Sequence, residues 1–209
     1  MFTGIVTAVG RITAVTPLRE GDGQAGVRLR IHAPGFLGEH SRLGDSIAIQ
    51  GACMTVVEKD ADGFCVDVSR ESLDRTAGLD AQGEVNLEPA LRLGDSLDGH
   101  LVSGHVDGIG IVSHFAPVGE SWTLRIDVPA ALARYVAYKG SLTVDGVSLT
   151  VNAVRDHDRG CEVSINLIPH TLQVTTLKRL SPGAAVNLEI DTLARYVERL
   201  AGLGLLREG

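Results

Sequence analysis

The sequence predicts an all-β fold with short helices, made of two similar halves and followed by one C-terminal α-helix. Three features predict this fold: an internal repeat, a series of short strand-like segments in each half, and an amphipathic segment at the end of the chain. We expect an N-terminal domain at residues 1–92, a second domain at 93–190 and a terminal helix at 191–209. The chain therefore carries the same small domain twice.

The internal repeat is visible in five collinear blocks. The clearest pair is GDSIAIQGACMTV at 44–56 and KGSLTVDGVSLTV at 139–151, which aligns Cys53 with Ser148. The other pairs are FTGIVTAVG (2–10) with VSGHVDGIG (102–110), RIHAP (30–34) with RIDVP (125–129), VDVSRESL (66–73) with INLIPHTL (165–172), and EVNLE (84–88) with AVNLE (185–189). Loop insertions explain the small changes of offset between blocks.

Strand signals recur throughout each half. In the first half, β-branched segments lie at 28–32, 46–50, 54–59 and 64–69, and turn sequences such as DADG (60–63) separate them. The second half repeats the pattern with WTLRIDV, SLTVDG, LTVNAV and CEVSINL. Many short strands of this kind predict a sandwich or a small closed barrel, and closure has the advantage that it removes exposed strand edges.

Helical signals are fewer. Residues 33–40 and 129–138 each have a proline near the start and are predicted to be short helices. The segment 191–208 begins with Asp191 as the expected N-cap, and its apolar residues recur at steps of three and four. This apolar stripe could lie on its own barrel or pack against copies of itself. The near-heptad spacing favours copies, and we expect an oligomer.

Composition excludes several classes of function. The net charge is −7 without a basic run, so nucleic acid is not an expected partner. The N-terminus lacks the features of a signal peptide, and no apolar run is long enough for a membrane span, so we expect a cytoplasmic, soluble protein without membrane contact. The three cysteines predict neither a disulfide framework nor a zinc site. His100 and His105 lack the further ligands of a metal site, and no metal is expected.

The pair GACMT and GVSLT is the candidate for binding a ring-shaped ligand. Gly51 and Gly146 permit tight turns and close backbone approach, while Thr55 and Thr150 can hydrogen-bond a polar ring edge. The copies differ at one position, where the first has Cys53 and the second Ser148. Unlike chemistry at equivalent positions suggests two sites with different tasks, although Cys53 could equally be a small buried apolar residue and Ser148 a turn residue.

A resemblance to a known family rests on five stretches of the chain. MFTGIV, GACMTV, GHLVSGHVDG (99–108), YKGSLTVDGVSLTVN (138–152) and LIPHTL (167–172) resemble the signatures of the riboflavin synthase alpha-chain family, from residue 1 to about 191. The resemblance implies two six-stranded Greek-key barrels and dismutation of two 6,7-dimethyl-8-ribityllumazine molecules to riboflavin and 5-amino-6-ribitylaminouracil. This is a transferase reaction, and no cofactor is implied. It also implies a homotrimer, with sites between subunits, and leaves association with lumazine synthase open.

The same resemblance implies roles for particular residues. Ser148 would polarise or deprotonate with the help of Asp191, Cys53 would position or transiently add to the second ring, and His105 would act as an acid, a base or a hydrogen-bonding group. His100 has a structural role as the alternative to substrate contact. The remaining expected substrate-binding residues are Phe2, Thr3, Gly4, Gly51, Thr55, Ser69, Ser72, His100, Gly104, Lys139, Gly146, Thr150, Ile168 and Thr171.

Three other functions deserve comparison. A non-catalytic lumazine- or flavin-binding antenna protein would share the duplicated barrels but lose polar groups from one pocket, whereas this chain retains them in both. A flavin-dependent reductase is disfavoured because no GxGxxG motif precedes a helix. A purely structural module would not need the unlike residues at equivalent positions.

Overall fold

Two closed six-stranded antiparallel barrels form the body of the protein, as a computed structural model shows for residues 1–21, 23–38 and 41–203. The strands of the first barrel are β1 (Ala8–Pro17), β2 (Val27–His32), β3 (Ser46–Ile49), β4 (Ala52–Asp60), β5 (Gly63–Val68) and β6 (Gly83–Pro89). Those of the second are β7 (Gly108–Val118), β8 (Ser121–Pro129), β9 (Ser141–Val144), β10 (Val147–His157), β11 (Gly160–Leu167) and β12 (Ala185–Ile190).

Both barrels have Greek-key topology. In the first, β3, β4 and β5 are consecutive neighbours and β6 returns to lie beside β3, while β1 pairs with both β2 and β6 and closes the barrel. The second barrel repeats this order. Matching register shifts occur at Ile12/Ala14 and at Val112/His114, so even the bulges of the two copies correspond. The predicted duplicated barrel fold is confirmed.

The interior of each barrel follows from strand alternation. Along β6, Val85 and Leu87 point into an apolar core, while Asn86 and Glu88 lie on the outer face. These two polar residues are nevertheless buried. Their burial shows that this outer face is covered. Asp145 and Thr176 of the other half contact Asn86, and Thr3 and Gly4 of the N-terminal segment contact Glu88.

The two barrels meet at two equivalent hairpin turns. Gly51 and Gly146 face each other so closely that a Cβ added to either would lie 2.8 Å from the other's backbone nitrogen. The side-chain amide of Asn86 donates to the backbone oxygen of Asp145 (2.9 Å), and that of Asn187 donates to the backbone oxygen of Gln50 (3.0 Å). The close approach permitted by these glycines therefore serves the contact between barrels.

Two extended segments precede the barrels and run alongside each other. Residues 1–5 come before β1 and residues 99–105 come before β7, and the two segments are joined at Phe2 and Val102, where each backbone N–H donates to the other's carbonyl (2.7 and 3.1 Å). Residues 99–105 belong to the linker between β6 and β7 (residues 90–107), which is thus part of the contact between the halves.

The short helices differ from those predicted. The predicted helix at 33–40 is wrong for its described residues, 33–38, which form a turn in which Gly35 has a φ of 75°; residues 39 and 40 lie outside the described part of the chain. The segment 129–138 contains α2 (Ala130–Ala133). Two helices that we did not predict, α1 (Arg70–Arg75) and α3 (Pro169–Val174), follow β5 and β11 at equivalent places.

The C-terminal helix α4 (Thr192–Gly202) begins as predicted, with the Asp191 carboxylate accepting a hydrogen bond from the backbone N–H of Leu193 (2.9 Å). Residues 204–208 of the prediction lie outside the described residues. The polar face of α4 is fixed to the second barrel, because Glu198 contacts Arg134 and Tyr135 and Arg195 pairs with Asp107. The apolar stripe is exposed in the monomer; it comprises Leu193, Tyr196, Val197, Leu200 and Leu203.

None of the helices in the described part of the chain is long and apolar enough to cross a membrane.

Candidate active site

Cys53 and Ser148 occupy equivalent positions on the outer faces of β4 and β10. The backbone N–H of Ser148 donates to the Gly4 carbonyl (2.8 Å), and that of Cys53 donates to the Gly104 carbonyl (2.7 Å). Both glycines have a left-handed φ, 76° and 78°, and a Cβ on either would lie within 2.7 Å of the Cβ of Ser148 or Cys53. We call residues 1–5 and 99–105 the crossing segments, because each precedes one barrel and contacts the other. Only glycine fits at the two points of contact.

In the second barrel, Ser148 is hydrogen-bonded to a buried histidine. Its Oγ lies 2.7 Å from Nδ1 of His100, and Nε2 of the same ring lies 3.3 Å from Oγ1 of Thr143 on β9. Both ring nitrogens therefore have hydroxyl partners. This geometry brings together two residues that the sequence placed in one site, and adds Thr143, which we did not predict.

The electrostatics of this group favour a neutral imidazole. Burial lowers the pKa of His100 from its ordinary value, and the negative charge of Asp191 opposes part of that change. Asp191 lies at the junction of β12 and α4, where its carboxylate also caps the helix. A neutral ring at pH 7 can accept a proton from, or return one to, the Ser148 hydroxyl.

In the first barrel, Cys53 borders a small cavity. This cavity has a volume of about 220 Å³, and Ser72 and His105 contribute to its lining together with Met54. Cys53 carries a free thiol that is partly exposed, whereas Cys65 and Cys161 are buried. His105 belongs to the second copy, and the equivalent residue of the first copy is Ile5. The two copies therefore differ at this position as well as at Cys53 and Ser148.

Threonine and serine side chains surround the two positions. Thr55 and Thr150 lie two residues further along β4 and β10 and are exposed on the same faces as Cys53 and Ser148. Ser69 caps α1 by accepting a hydrogen bond from the backbone N–H of Ser72 (3.1 Å), and the two hydroxyls lie 2.9 Å apart. These hydroxyls are placed at the rim of the first pocket.

The equivalent place after β11 carries Ile168 and Thr171. Ile168 precedes α3 and is exposed, while Thr171 lies in α3 at the position equivalent to Ser72. Lys139 has a φ of 62°, at the position where the first copy has Gly44, and its exposed side chain lies over the ring of Tyr138. A lysine in this left-handed conformation is energetically unfavourable, which marks the position as constrained.

Several expected substrate-binding residues are covered in the structure. Phe2 has no exposed surface and packs against Ala48 and Val102, and Thr3 is buried with its hydroxyl donating to Glu88 (2.8 Å). Both side chains are buried by contacts within the chain, and we interpret their role as support for the backbone of the site.

Sequence reasoning missed three buried carboxylates. Glu88 and Glu189 accept hydrogen bonds from the backbone of the crossing segments. Burial raises the pKa of Asp145 to about 7, while hydrogen bonds from the Asn187 backbone and the Gln50 side chain act in the opposite direction. The available signal was the repeated VNLE sequence, whose alternation places Asn and Glu opposite the core-facing Val and Leu.

Metal-binding geometry is not found in the described residues, where no group of three or more His, Cys, Asp or Glu side chains could hold an ion.

Known proteins resemble this chain in both sequence and fold. The model of the lumazine binding domain matches residues 3–90 and again 103–191. The chain is 44% identical over 204 residues to the riboflavin synthase of Mycobacterium tuberculosis (strain ATCC 25618 / H37Rv), covering 96% of this chain and 98% of that protein. It is 41% identical over 202 residues to the riboflavin synthase of Photobacterium phosphoreum, covering 96% and 88% respectively.

Solved structures show the same fold. The crystal structure of LumP complexed with 6,7-dimethyl-8-(1'-D-ribityl) lumazine matches with a TM-score of 0.76 and 24% identity, over 90% of this chain and 98% of that chain. LumP complexed with riboflavin matches with a TM-score of 0.76 and 24% identity, over 91% and 99%. With two lumazine binding domains and full-length relatives well above 30% identity, this chain belongs to the riboflavin synthase family.

Proposed function

We propose that this protein is a riboflavin synthase that holds one 6,7-dimethyl-8-ribityllumazine in each of two pockets and transfers a four-carbon unit between them. The products are riboflavin and 5-amino-6-(D-ribitylamino)uracil. The observation that carries the proposal is the pair of equivalent positions with unlike chemistry. One presents a hydroxyl bound to a neutral histidine, and the other presents a free thiol beside a cavity.

The second pocket supplies the proton-transfer step. The methyl group on C7 of the lumazine is acidic, because its anion delocalises into the ring, so modest base catalysis suffices. With its proton on Nε2, the His100 ring donates to Thr143 and accepts from the Ser148 hydroxyl. A proton of the C7 methyl group passes to Ser148 Oγ as the serine proton passes to Nδ1, which leaves the methyl carbanion delocalised into the ring. Asp191 stabilises the resulting imidazolium through its charge.

The first pocket binds the lumazine that accepts the four-carbon unit. Cys53 lies against this ring, and His105, at the same cavity, hydrogen-bonds it or exchanges protons with it. We expect Thr55 and Thr150 to bind the pyrimidine edges. The expected partners of the ribityl hydroxyls are Ser69, Ser72, Thr171 and Lys139. Holding the two rings in contact would supply much of the rate enhancement.

We further propose that the protein is a homotrimer assembled through α4, with the first barrel of one subunit facing the second barrel of its neighbour. The exposed apolar stripe of α4 supports this assembly, since such a surface is normally covered by protein. The helix begins directly after Asp191, so association through it brings a neighbouring subunit close to the second pocket.

A cytoplasmic location is proposed as well, because all three cysteines are free and exported proteins more often pair them. Association with lumazine synthase stays a prediction from the family resemblance.

The proposal is tested by incubating the purified protein with 6,7-dimethyl-8-ribityllumazine alone and measuring riboflavin by absorbance. Continuous formation of riboflavin, with two lumazines consumed for each riboflavin formed, would support the proposed enzyme. Stable binding of the lumazine without turnover would instead identify a non-catalytic antenna protein.

A further inference from the structure

Two buried glutamates occupy equivalent places at the ends of β6 and β12. Glu88 and Glu189 are each 5% exposed, although strand alternation points them away from the barrel cores. A buried carboxylate is costly unless hydrogen bonds compensate for the lost water. Their partners therefore indicate what these two side chains do.

Backbone N–H groups of the crossing segments supply the compensation. One oxygen of Glu88 accepts from the backbone and the hydroxyl of Thr3 (2.6 and 2.8 Å), and the other accepts from the N–H of Gly4 (3.0 Å). Glu189 accepts from three consecutive N–H groups, those of Ser103 (2.6 Å), Gly104 (2.9 Å) and His105 (3.1 Å). Each carboxylate thus fixes one segment at the residues that enter a pocket.

The far side of each segment contacts the other barrel. Glu88 belongs to the first barrel, but the Gly4 carbonyl beside it accepts the Ser148 N–H of the second (2.8 Å). Glu189 belongs to the second barrel, but the Gly104 carbonyl accepts the Cys53 N–H of the first (2.7 Å). The hydrogen bonds therefore run from the glutamate of one barrel to the pocket of the opposite barrel.

We propose that Glu88 and Glu189 are positioning residues for the riboflavin synthase reaction, each holding the backbone at the pocket of the opposite barrel. Glu88 serves the Ser148 pocket, and Glu189 serves the Cys53 pocket and orients His105. The functional part of this proposal rests on the activity proposed above, whereas the crossed geometry does not depend on that activity.

The ionised form of the carboxylate is the one that suits these contacts. A carboxylate only accepts hydrogen bonds, whereas a carboxylic acid or an amide presents a donor to N–H groups that are donors themselves. Burial raises the pKa of Glu189 to about 7, and the charge of Asp107 adds to this while the N–H groups oppose it. Besides Asp107, the charged or titratable groups that line the same cavity as Glu189 are Arg195, which pairs with Asp107, His105 and Tyr196.

Amide hydrogen exchange by NMR tests the crossed assignment without relying on turnover. Glu189→Gln should speed exchange at the Cys53 and Gly104 amides by about tenfold or more while the Ser148 amide keeps its wild-type rate. Glu88→Gln should do the reverse, with faster exchange at Ser148 and Gly4. The matched control is Glu162→Gln on β11, where the same chemical change at a surface ion pair should alter neither amide.

Steady-state kinetics then separates positioning from a purely structural role. Glu189→Gln should lower kcat about tenfold or more with a smaller change in KM, and Glu189→Asp, which keeps the charge, should recover part of the loss. Equal acceleration of exchange at Cys53 and Ser148 in both Gln variants would overturn the proposal. So would unchanged exchange at both amides, or wild-type kcat in a variant whose exchange shows the crossed pattern.

A wild-type measurement covers the case in which a Gln variant does not fold. Between pH 8 and pH 6, Glu189 gains its proton, so the protection of the Cys53 and Gly104 amides, corrected for intrinsic exchange rates, should fall more than that of Ser148. The comparison is repeated in His105→Asn, which removes the histidine that lines the same cavity, so a pH dependence common to both proteins belongs to Glu189. Protection that does not change with pH in either protein would contradict the proposal.

Discussion

At the residue scale, the two copies of the pocket share a backbone and differ in the groups attached to it. Ser148 and Cys53 each donate an N–H to a left-handed glycine, but within the described residues only Ser148 has a histidine at hydrogen-bond distance. A duplicated backbone with unlike side chains thus presents a hydroxyl–histidine pair at one position and a free thiol at the equivalent one.

Ser148→Ala removes the hydroxyl that connects substrate to His100. We expect kcat to fall by about 10²-fold or more with little change in lumazine binding, because general base catalysis contributes on that scale. The matched control is Ser113→Ala on β7, whose hydroxyl binds Glu162 at the surface. Turnover of Ser148→Ala at the wild-type rate would remove Ser148 from the mechanism.

The acid limb of the pH–rate profile reports the protonation of His100. Burial lowers the pKa of this histidine, so its contribution to the fall in kcat should lie below the pH at which an ordinary histidine titrates, and below the contribution of Glu189 near pH 7. Asp191→Asn removes the charge that opposes this lowering, while asparagine can still cap α4. The limb should therefore move to lower pH in Asp191→Asn, and a move to higher pH would contradict the assignment.

Asp145 makes stability depend on pH. Its pKa is raised to about 7, so the folded chain binds this proton more tightly than the unfolded chain; the resulting stabilisation is complete below about pH 4 and is lost as the pH rises through 7. Asp145→Asn keeps an acceptor for the Asn187 N–H and suits the φ of 49°. At pH 8 the variant should be more stable than wild type by on the order of 2 kcal/mol, measured by urea unfolding. Equal stability of the variant and the wild type at pH 8, or a wild-type stability that does not fall between pH 5 and pH 8, would oppose this explanation.

At the element scale, strands were more predictable than helices. The β-branched segments at 46–50 and 54–59 became β3 and β4, because alternation over a few residues suffices to mark a half-buried strand. The helices α1 and α3 have six residues each, too few for a helical period to show. The turn at 33–38 has a proline at a position typical of a helix start, but the left-handed Gly35 prevents the helix.

The candidate site was predictable only in part for a related reason. Cys53, Ser148 and their threonines stand out because the two copies can be compared within one sequence. The roles of Glu88 and Glu189 depend on backbone N–H groups about 85 residues away along the chain, and pairing at that distance leaves no local pattern. The hydrogen bond between His100 and Ser148 likewise depends on the path of the linker, which the local sequence does not show.

The helix α4 provides the test of assembly at this scale. Replacing Val197 and Leu200 by aspartate places charge on the exposed stripe, so the proposed trimer should dissociate to monomers in sedimentation velocity. Arg199→Ala on the same helix is the matched control and should leave assembly intact. An intact trimer in the double variant would show that α4 does not hold the subunits together.

At the scale of the whole molecule, the contact between barrels joins two pockets into one unit. Asn86, Asn187 and the facing glycines fix the barrels to each other, and the crossing segments connect each barrel to the pocket of the other. This contact covers outer strand faces whose polar side chains would otherwise be hydrated. The duplication therefore yields two unlike candidate sites in one chain.

Sites shared between subunits should be restored by mixing. A variant inactive in the first barrel, Cys53→Trp, and a variant inactive in the second, Ser148→Ala, should regain activity after joint unfolding and refolding, since some mixed sites would then combine two intact pockets. Each variant refolded alone serves as the control. Activity that stays at the level of the separate variants would place each complete site within one subunit.

The central claim is that each chain has two lumazine pockets, and the most direct test is the binding stoichiometry of the slow variant Ser148→Ala. Titration of this variant with 6,7-dimethyl-8-ribityllumazine, followed by isothermal calorimetry, should saturate at two lumazines per chain. Saturation at one lumazine per chain would contradict the claim.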